Sequence, residues 1–167
     1  MAQKIVNRVA NSSLITFDIA DYYPKGDRKV LDISQWLEEG FLLREKEFRS
    51  SLADFDFSPY KDSYVALQCS TKALLPAWAT LLVTAYLQPI AKRVVFGSLV
   101  KLDETVFNEI VSSIDWQQFS QKLVIIKGCT EYNIPENVYI QLVQKLQPIV
   151  KRLSYGEACS SVPLYKK

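Results

Sequence analysis

An α/β fold with a mainly parallel sheet is what this sequence predicts. Three observations predict it: a segment that returns at a fixed offset, helix and strand patterns that alternate inside each copy, and a glycine that stops each closing strand. At an offset of 59 residues Leu87-Gln88-Pro89-Ile90-Ala91-Lys92-Arg93 returns as Leu146-Gln147-Pro148-Ile149-Val150-Lys151-Arg152, and Gly97 meets Gly156. Leu43 and Leu102, Phe48 and Phe107, Asp56-Phe57 and Asp115-Trp116, Val65 and Val124, and Pro76 and Pro135 keep the same offset. Residues 41–97 and 100–156 therefore read as two tandem copies of one unit.

The elements follow in chain order. Leu14 to Ile19 and Arg28 to Ile33 flank Pro24-Lys25-Gly26-Asp27 and read as an N-terminal β-hairpin, so residues 1–40 form a hairpin segment. In each copy, Leu43 to Leu52 and Leu102 to Val111 place apolar residues at helical spacing, and the aspartate-aromatic pair that follows marks a turn. Tyr64-Val65-Ala66-Leu67-Gln68 and Leu123-Val124-Ile125-Ile126-Lys127 are apolar runs of strand length. Pro76 and Pro135 suit the first position of a helix, where a missing N–H costs nothing. Val94-Val95-Phe96 and Leu153-Ser154-Tyr155 close the copies as short strands, and residues 157–167 are left as a tail.

Strands alternating with helices need right-handed crossovers, hence parallel pairing. Two such units related by a two-fold give one sheet in the order 2-1-3-4, with strands near 64–68, 93–97, 123–128 and 152–156 and the first and third adjacent at the centre. The whole of 1–167 is expected to be one domain with one core.

Composition narrows function. Apolar residues are 49% and charged residues 23% of the chain, values of an ordinary folded protein. Twenty basic and 18 acidic residues leave a net charge of +2, which marks out neither nucleic acid nor a membrane surface as a partner. The absence of histidine excludes Ser-His and Cys-His nucleophile pairs and imidazole acid-base chemistry. The five glycines form neither GxGxxG nor a P-loop, so no nucleotide-binding motif is present. Residues 73–91 hold no charge, yet Pro76, Thr80, Thr84, Gln88 and Pro89 argue against a membrane span. Met1 to Ser13 lacks the apolar core of a secretory signal, and three cysteines are an odd number, so a reducing cytoplasm is the expected compartment.

Chemistry is expected at the carboxyl ends of the central strands. Cys69 and Cys129 end those strands, and Cys159 follows the last one. If the central strands are neighbours, the three thiols gather at one rim, able to bind zinc or an iron–sulfur cluster with Glu131 or Glu157 as a fourth ligand. Against this, cysteine is a common buried hydrophobe, no CxxC is present, and Cys69 falls opposite Gly128, one residue out of step. Asp18, Asp21, Asp27 and Asp32, with Tyr22 and Tyr23, match no cation-binding loop and read as a solvated edge. The pairs Lys92-Arg93 and Lys151-Arg152 read as complements to helix C-terminal dipoles.

One helix surface stands out when the copies are compared. Where the second copy carries Asn137, Gln141, Gln144 and Lys145, the first carries Trp78, Leu82, Ala85 and Tyr86, a stripe to be covered by the N-terminal segment or by a second subunit. The two-fold dimer is the favoured cover.

Gly156-Glu157-Ala158-Cys159-Ser160-Ser161-Val162-Pro163-Leu164-Tyr165-Lys166, Asn7-Arg8-Val9-Ala10-Asn11-Ser12 and Asp21-Tyr22-Tyr23-Pro24 together resemble the Bacteroidota family called domain of unknown function 2480. The resemblance runs over essentially the whole chain. It implies Cys-Ser and Gly-Cys segments at the places of Cys69 and Cys129, and a bacterial cytoplasmic protein. It carries over no functional residue. The functional expectation is a non-catalytic cytoplasmic binding or assembly module acting as a homodimer. Its alternative is the thiol-based metal or redox site, and a third reading is a small-molecule enzyme using carboxylates or Lys72 at the same rim.

Overall fold

The structure is a computed structural model, and it describes residues 14–128 and 131–167. The described strands form two sheets. Strand β1 (Leu14–Phe17) and strand β2 (Arg28–Asp32) come first. Helix α1 (Glu45–Asp54), strand β3 (Tyr64–Gln68), helix α2 (Ala77–Leu87) and strand β4 (Arg93–Phe96) follow. Helix α3 (Leu99–Ser113), strand β5 (Leu123–Ile126), helix α4 (Glu136–Leu146) and strand β6 (Arg152–Tyr155) repeat that series, and strand β7 (Val162–Lys166) ends it.

Both segments thus run through helix, 3-10 turn, strand, helix and strand in the order the sequence predicts. The aspartate-aromatic pairs do make turns. Asp115 Oδ1 accepts from the Gln117 N–H at 3.1 Å and Asp56 Oδ1 from the Ser58 N–H at 2.9 Å, each opening a 3-10 turn. Pro76 and Pro135 precede α2 and α4 as N-caps with extended ψ, one position earlier than expected. The closing strands stop where Gly97 (φ +146) and Gly156 (φ +120) turn the chain through a region that side-chain-bearing residues avoid.

The strand order departs from expectation. No single sheet ordered 2-1-3-4 forms; the sheets are β2-β3-β4 and β1-β5-β6-β7. The N-terminal strands are not a hairpin either. Strand β2 pairs in parallel with β3, Arg28 opposite Tyr64, and β1 pairs in parallel with β5, Leu14 opposite Leu123. These two departures have one cause. A strand has only two edges for main-chain pairing, and β2 and β4 occupy both edges of β3, as β1 and β6 occupy both edges of β5. Nothing is left for β3 and β5 to share. The expected tail adds a further strand, β7, antiparallel to β6.

The chain divides into two compact units, one of Pro24–Val106 and one of the residues up to Tyr23 with Phe107–Lys167. Buried apolar residues accordingly form two clusters where one core was expected. In the first unit Leu31, Val65 and Leu67 of the sheet meet Phe48 and Leu52 of α1 and Ala79, Val83 and Leu87 of α2. In the second, Phe17, Val124, Ile126 and Leu153 meet Phe107 and Val111 of α3 and Val138, Leu142 and Leu146 of α4. In both, every second strand residue points to the helices, as the pleat requires.

Phe48→Ala and Phe107→Ala each remove a ring with no exposed surface. Each is expected to cost about 3–5 kcal/mol in urea unfolding, whereas truncating half-exposed Leu164 costs under about 0.5 kcal/mol. Equal costs at all three positions would contradict the two cores.

Candidate functional site

In a parallel sheet all strands finish at one rim, and the loops beyond it are the usual place for a ligand. At the rim of β2-β3-β4 the polar groups converge on Asp32. Its Oδ1 accepts from the Ser34 N–H at 2.9 Å, capping a 3-10 turn, and from the Ser70 N–H at 3.0 Å, tying the end of β2 to the loop after β3. The hydroxyls of Ser34 and Ser70 lie 3.1 Å apart. Burial by itself raises the pKa of Asp32, but hydrogen bonds from the Ser70 hydroxyl, the Ser34 and Ser70 N–H groups and the Ser34 hydroxyl outweigh it and lower the pKa to about 2. Asp32 is thus a structural acceptor, ionised at neutral pH and with no proton to donate.

The neighbouring thiol is equally committed. Thr71 Oγ1 donates to the Gly40 carbonyl at 2.5 Å, which spends its proton. The Cys69 thiol, 3.3 Å from the same oxygen, is therefore the donor of that pair. Cys69 is half-buried and packs against the core of its unit, as the bland reading of a strand-end cysteine has it.

The rim of β1-β5-β6 repeats the design with different partners. Asp18 Oδ1 accepts from the Ala20 N–H at 2.9 Å, and Oδ2 receives Lys127 Nζ at 2.6 Å. The hydrogen bond and charge of Asp18 push the Lys127 ammonium above its ordinary pKa. Gly128 falls at the 59-residue offset from Cys69, and a Cβ there would meet the Tyr155 ring at 2.8 Å, so a side chain at this position would crowd that ring.

The expected three-thiol rim loses its geometric premise, since β3 and β5 belong to separate sheets. Cys69 and Cys159 lie in different units, Cys159 is exposed, and Cys129 falls outside the described residues. Among the described residues no three His, Cys, Asp or Glu side chains are grouped to hold a metal ion. Asp18 and Asp32 are turn caps in separate units and not members of one acidic edge. The Lys-Arg pairs start strands and do not end helices; Lys92 Nζ donates to the Lys25 carbonyl at 2.7 Å.

Among the described residues, one cleft of about 250 Å³ runs along Leu14, Val124, Arg152 and Ser154, and another of about 270 Å³ opens beside Trp36, Arg44 and Glu47. Both fall short of the roughly 300–1,000 Å³ of a small-molecule site, and an Arg44–Glu38 ion pair at 2.5 Å narrows the second.

The expected stripe on α2 divides. Trp78 packs edge-on against Phe48, with the Arg49 guanidinium 5.4 Å from its ring, and Leu82 joins the same core. Trp78 is thus partly covered by α1, and Leu82 by a core to which Leu31, Ile33 and Leu37 also belong. Tyr86 stacks on Phe57 at 5.2 Å yet stays 38% exposed, and Ala85 is exposed. Sequence reasoning missed Leu81, which is 67% exposed on the same helix. With 11 residues α2 spans about 16 Å, half the thickness of a bilayer core, and no described helix is long and apolar enough to cross a membrane.

A family model described as "Protein of unknown function (DUF2480)" matches residues 3–167. No curated protein matches the chain, and no solved structure does.

Asp32→Ala removes a cap and a loop tie and is expected to cost about 1–2 kcal/mol by chemical denaturation. Because the folded pKa of Asp32 is depressed, its carboxylate contributes stability above the unfolded value of about 4, and that contribution is lost as pH falls toward 2. Unfolding curves of Asp32→Asn should therefore be flatter than wild type over that window. Alkylation mapped by peptide mass should label exposed Cys159 well before Cys69; the reverse order would contradict the burial of Cys69.

Proposed function

The chain belongs to this family of unknown function, which supplies no activity to carry over, and we propose on the residues themselves that it is a non-catalytic binding or assembly module acting as a homodimer in the cytoplasm. The supporting observation is the surface of α2. Leu74 just before the helix is 97% exposed and Leu81 within it 67%, beside Ala85 and Tyr86, with no charge between residues 73 and 91. At the same offset the second copy carries Asn133, Gln144 and Lys145 in place of Leu74, Ala85 and Tyr86, while Ile140 keeps the apolar character of Leu81. An apolar surface of this kind on a soluble unit marks a contact. Two-fold pairing of like surfaces is the commonest contact of a chain with itself. The committed state of Asp32 and Cys69 supports the non-catalytic half of the reading.

The second reading, a thiol-based site for zinc or iron, draws on the accessible thiol of Cys159. Elemental analysis separates the two: protein purified without chelator and free of stoichiometric metal favours the module.

Light scattering over a dilution series should give twice the chain mass at high concentration. A wild-type chain that stays monomeric at millimolar concentration ends the homodimer reading.

A further inference from the structure

The two sheets begin alike and end differently. β2-β3-β4 and β1-β5-β6 share the same parallel order, so β4 is to one what β6 is to the other. The outer edge of β6 carries β7, with Leu153 opposite Tyr165 and Tyr155 opposite Val162. Among the described residues, nothing pairs with the outer edge of β4.

That edge has a definite chemistry. The Gly97 N–H donates inward to the Leu67 carbonyl, and inward and outward residues alternate along a parallel strand. Val95 therefore also faces β3, and the N–H and C=O groups of Val94 and Phe96 face outward. The matching bond in the other sheet, from the Gly156 N–H to the Ile126 carbonyl, leaves Leu153 and Tyr155 outward, and these are the residues β7 engages. Phe96 is 52% exposed, and Val94, on the same face, already leans on the core. The opposite edge strand, β2, is protected: Arg28 pairs with Asp103 at 3.0 Å, Lys29 donates to the Pro59 carbonyl, and Asp32 is held as described. Charges of that kind blunt an edge. Strand β4 has none after Arg93.

We propose that the outer edge of β4 is the seam of the homodimer, pairing antiparallel with β4 of a second copy about a two-fold at Val95. The inference rests on the homodimer reading and names where the copies join. The register follows from the edge itself. Val95 stands opposite its own mate, Val94 stands opposite Phe96 of the partner, and Arg93 stands opposite Gly97 of the partner. The outward groups of Val94 and Phe96 then form four main-chain hydrogen bonds, and each phenyl ring meets a β-branched side chain, a favourable cross-strand pair. The two Arg93 residues lie four positions apart, about 13 Å along the strands, so like charges do not oppose. A parallel pairing would set them side by side. Ala79, Val83 and Leu87 of α2 share their core with Val65 and Leu67 of β3 and with Val94 of β4, so the helix lies on one face of the sheet and leaves the main-chain groups of its edge open. The flank of α2 away from Trp78 bears Thr80 and Thr84, whose hydroxyls bond the helix's own Ala77 and Thr80 carbonyls at 3.0 and 2.8 Å and ask nothing of a neighbour.

The test combines two variants of the full chain with light scattering. Phe96→Lys puts a charge on an exposed side chain and should weaken dimerisation at least about tenfold while leaving the melting curve in place. Val95→Cys, in a chain whose native cysteines are serine, should give a covalent dimer on mild oxidation, because directly opposed residues of a non-hydrogen-bonded pair lie within disulfide reach. A dimeric wild type with a weakened Phe96→Lys and a cross-linked Val95→Cys supports the seam. A dimeric wild type in which Phe96→Lys dimerises as before and Val95→Cys does not cross-link overturns the seam and leaves the homodimer standing. A monomeric wild type overturns both.

Discussion

Everything in this fold depends on the parallel pairing of the two N-terminal strands with strands far along the chain. Leu14 lies against Leu123 and Arg28 against Tyr64, so each pairing closes a loop, residues 18–122 in one case and 33–63 in the other. Loop entropy grows only with the logarithm of length, so the longer closure costs about 1 kcal/mol more than the shorter one. Burial repays it. Phe17 and Ile19, or Leu31 and Ile33, arrive with each strand and have almost no exposed surface. Without them Val124 and Ile126, or Val65 and Leu67, would each face an incomplete core.

The same pairing explains what each carboxylate at the strand ends is for. A parallel strand joined only at its own edge is free to slide, and a slip of one residue turns its apolar face to water. Asp32 fixes the end of β2 to the Ser70 main chain, and Asp18 fixes the end of β1 to the Lys127 ammonium. Each acts as a pin for the register. That role accounts for the low pKa of Asp32 without any catalytic demand: a carboxylate filled by N–H and hydroxyl donors is stabilised as an anion wherever it stands.

The sequence revealed the elements and concealed their partners, for a physical reason. Helical spacing over Leu43 to Leu52 and the apolar run Tyr64 to Gln68 are local properties, and the structure has a helix and a strand there. Which strand lies beside which is decided by edges, and an alternating pattern does not name its neighbour. The turn residues Pro24 to Asp27 argued for a hairpin, but the Asx-capped 3-10 turn at Ile19–Tyr22 already redirects the chain before them. A usable signal was present: Phe17-Asp18-Ile19 and Leu31-Asp32-Ile33 are the same apolar-Asp-Ile triplet at the end of two strands. Had it been aligned, it would have assigned one first strand to each unit. A helical wheel set against the sheet alone does not see that Trp78 of α2 also meets Phe48 of α1, which leaves Trp78 half-buried while Ala85 and Tyr86 stay exposed.

The difference between the two sheets matters more than their likeness. Strand β7 covers the outer edge of β6. The remaining sheet has one edge protected by Arg28, Lys29 and Asp32, so its apolar edge is confined to β4. An unprotected edge two strands from a charged one is a hazard for open-ended aggregation unless its pairing closes on itself. Two-fold antiparallel pairing does close, because once β4 meets its mate the only edges left on the six-stranded sheet are the two charged β2 strands. In the proposed pair the charges on β2 would end the sheet on both sides.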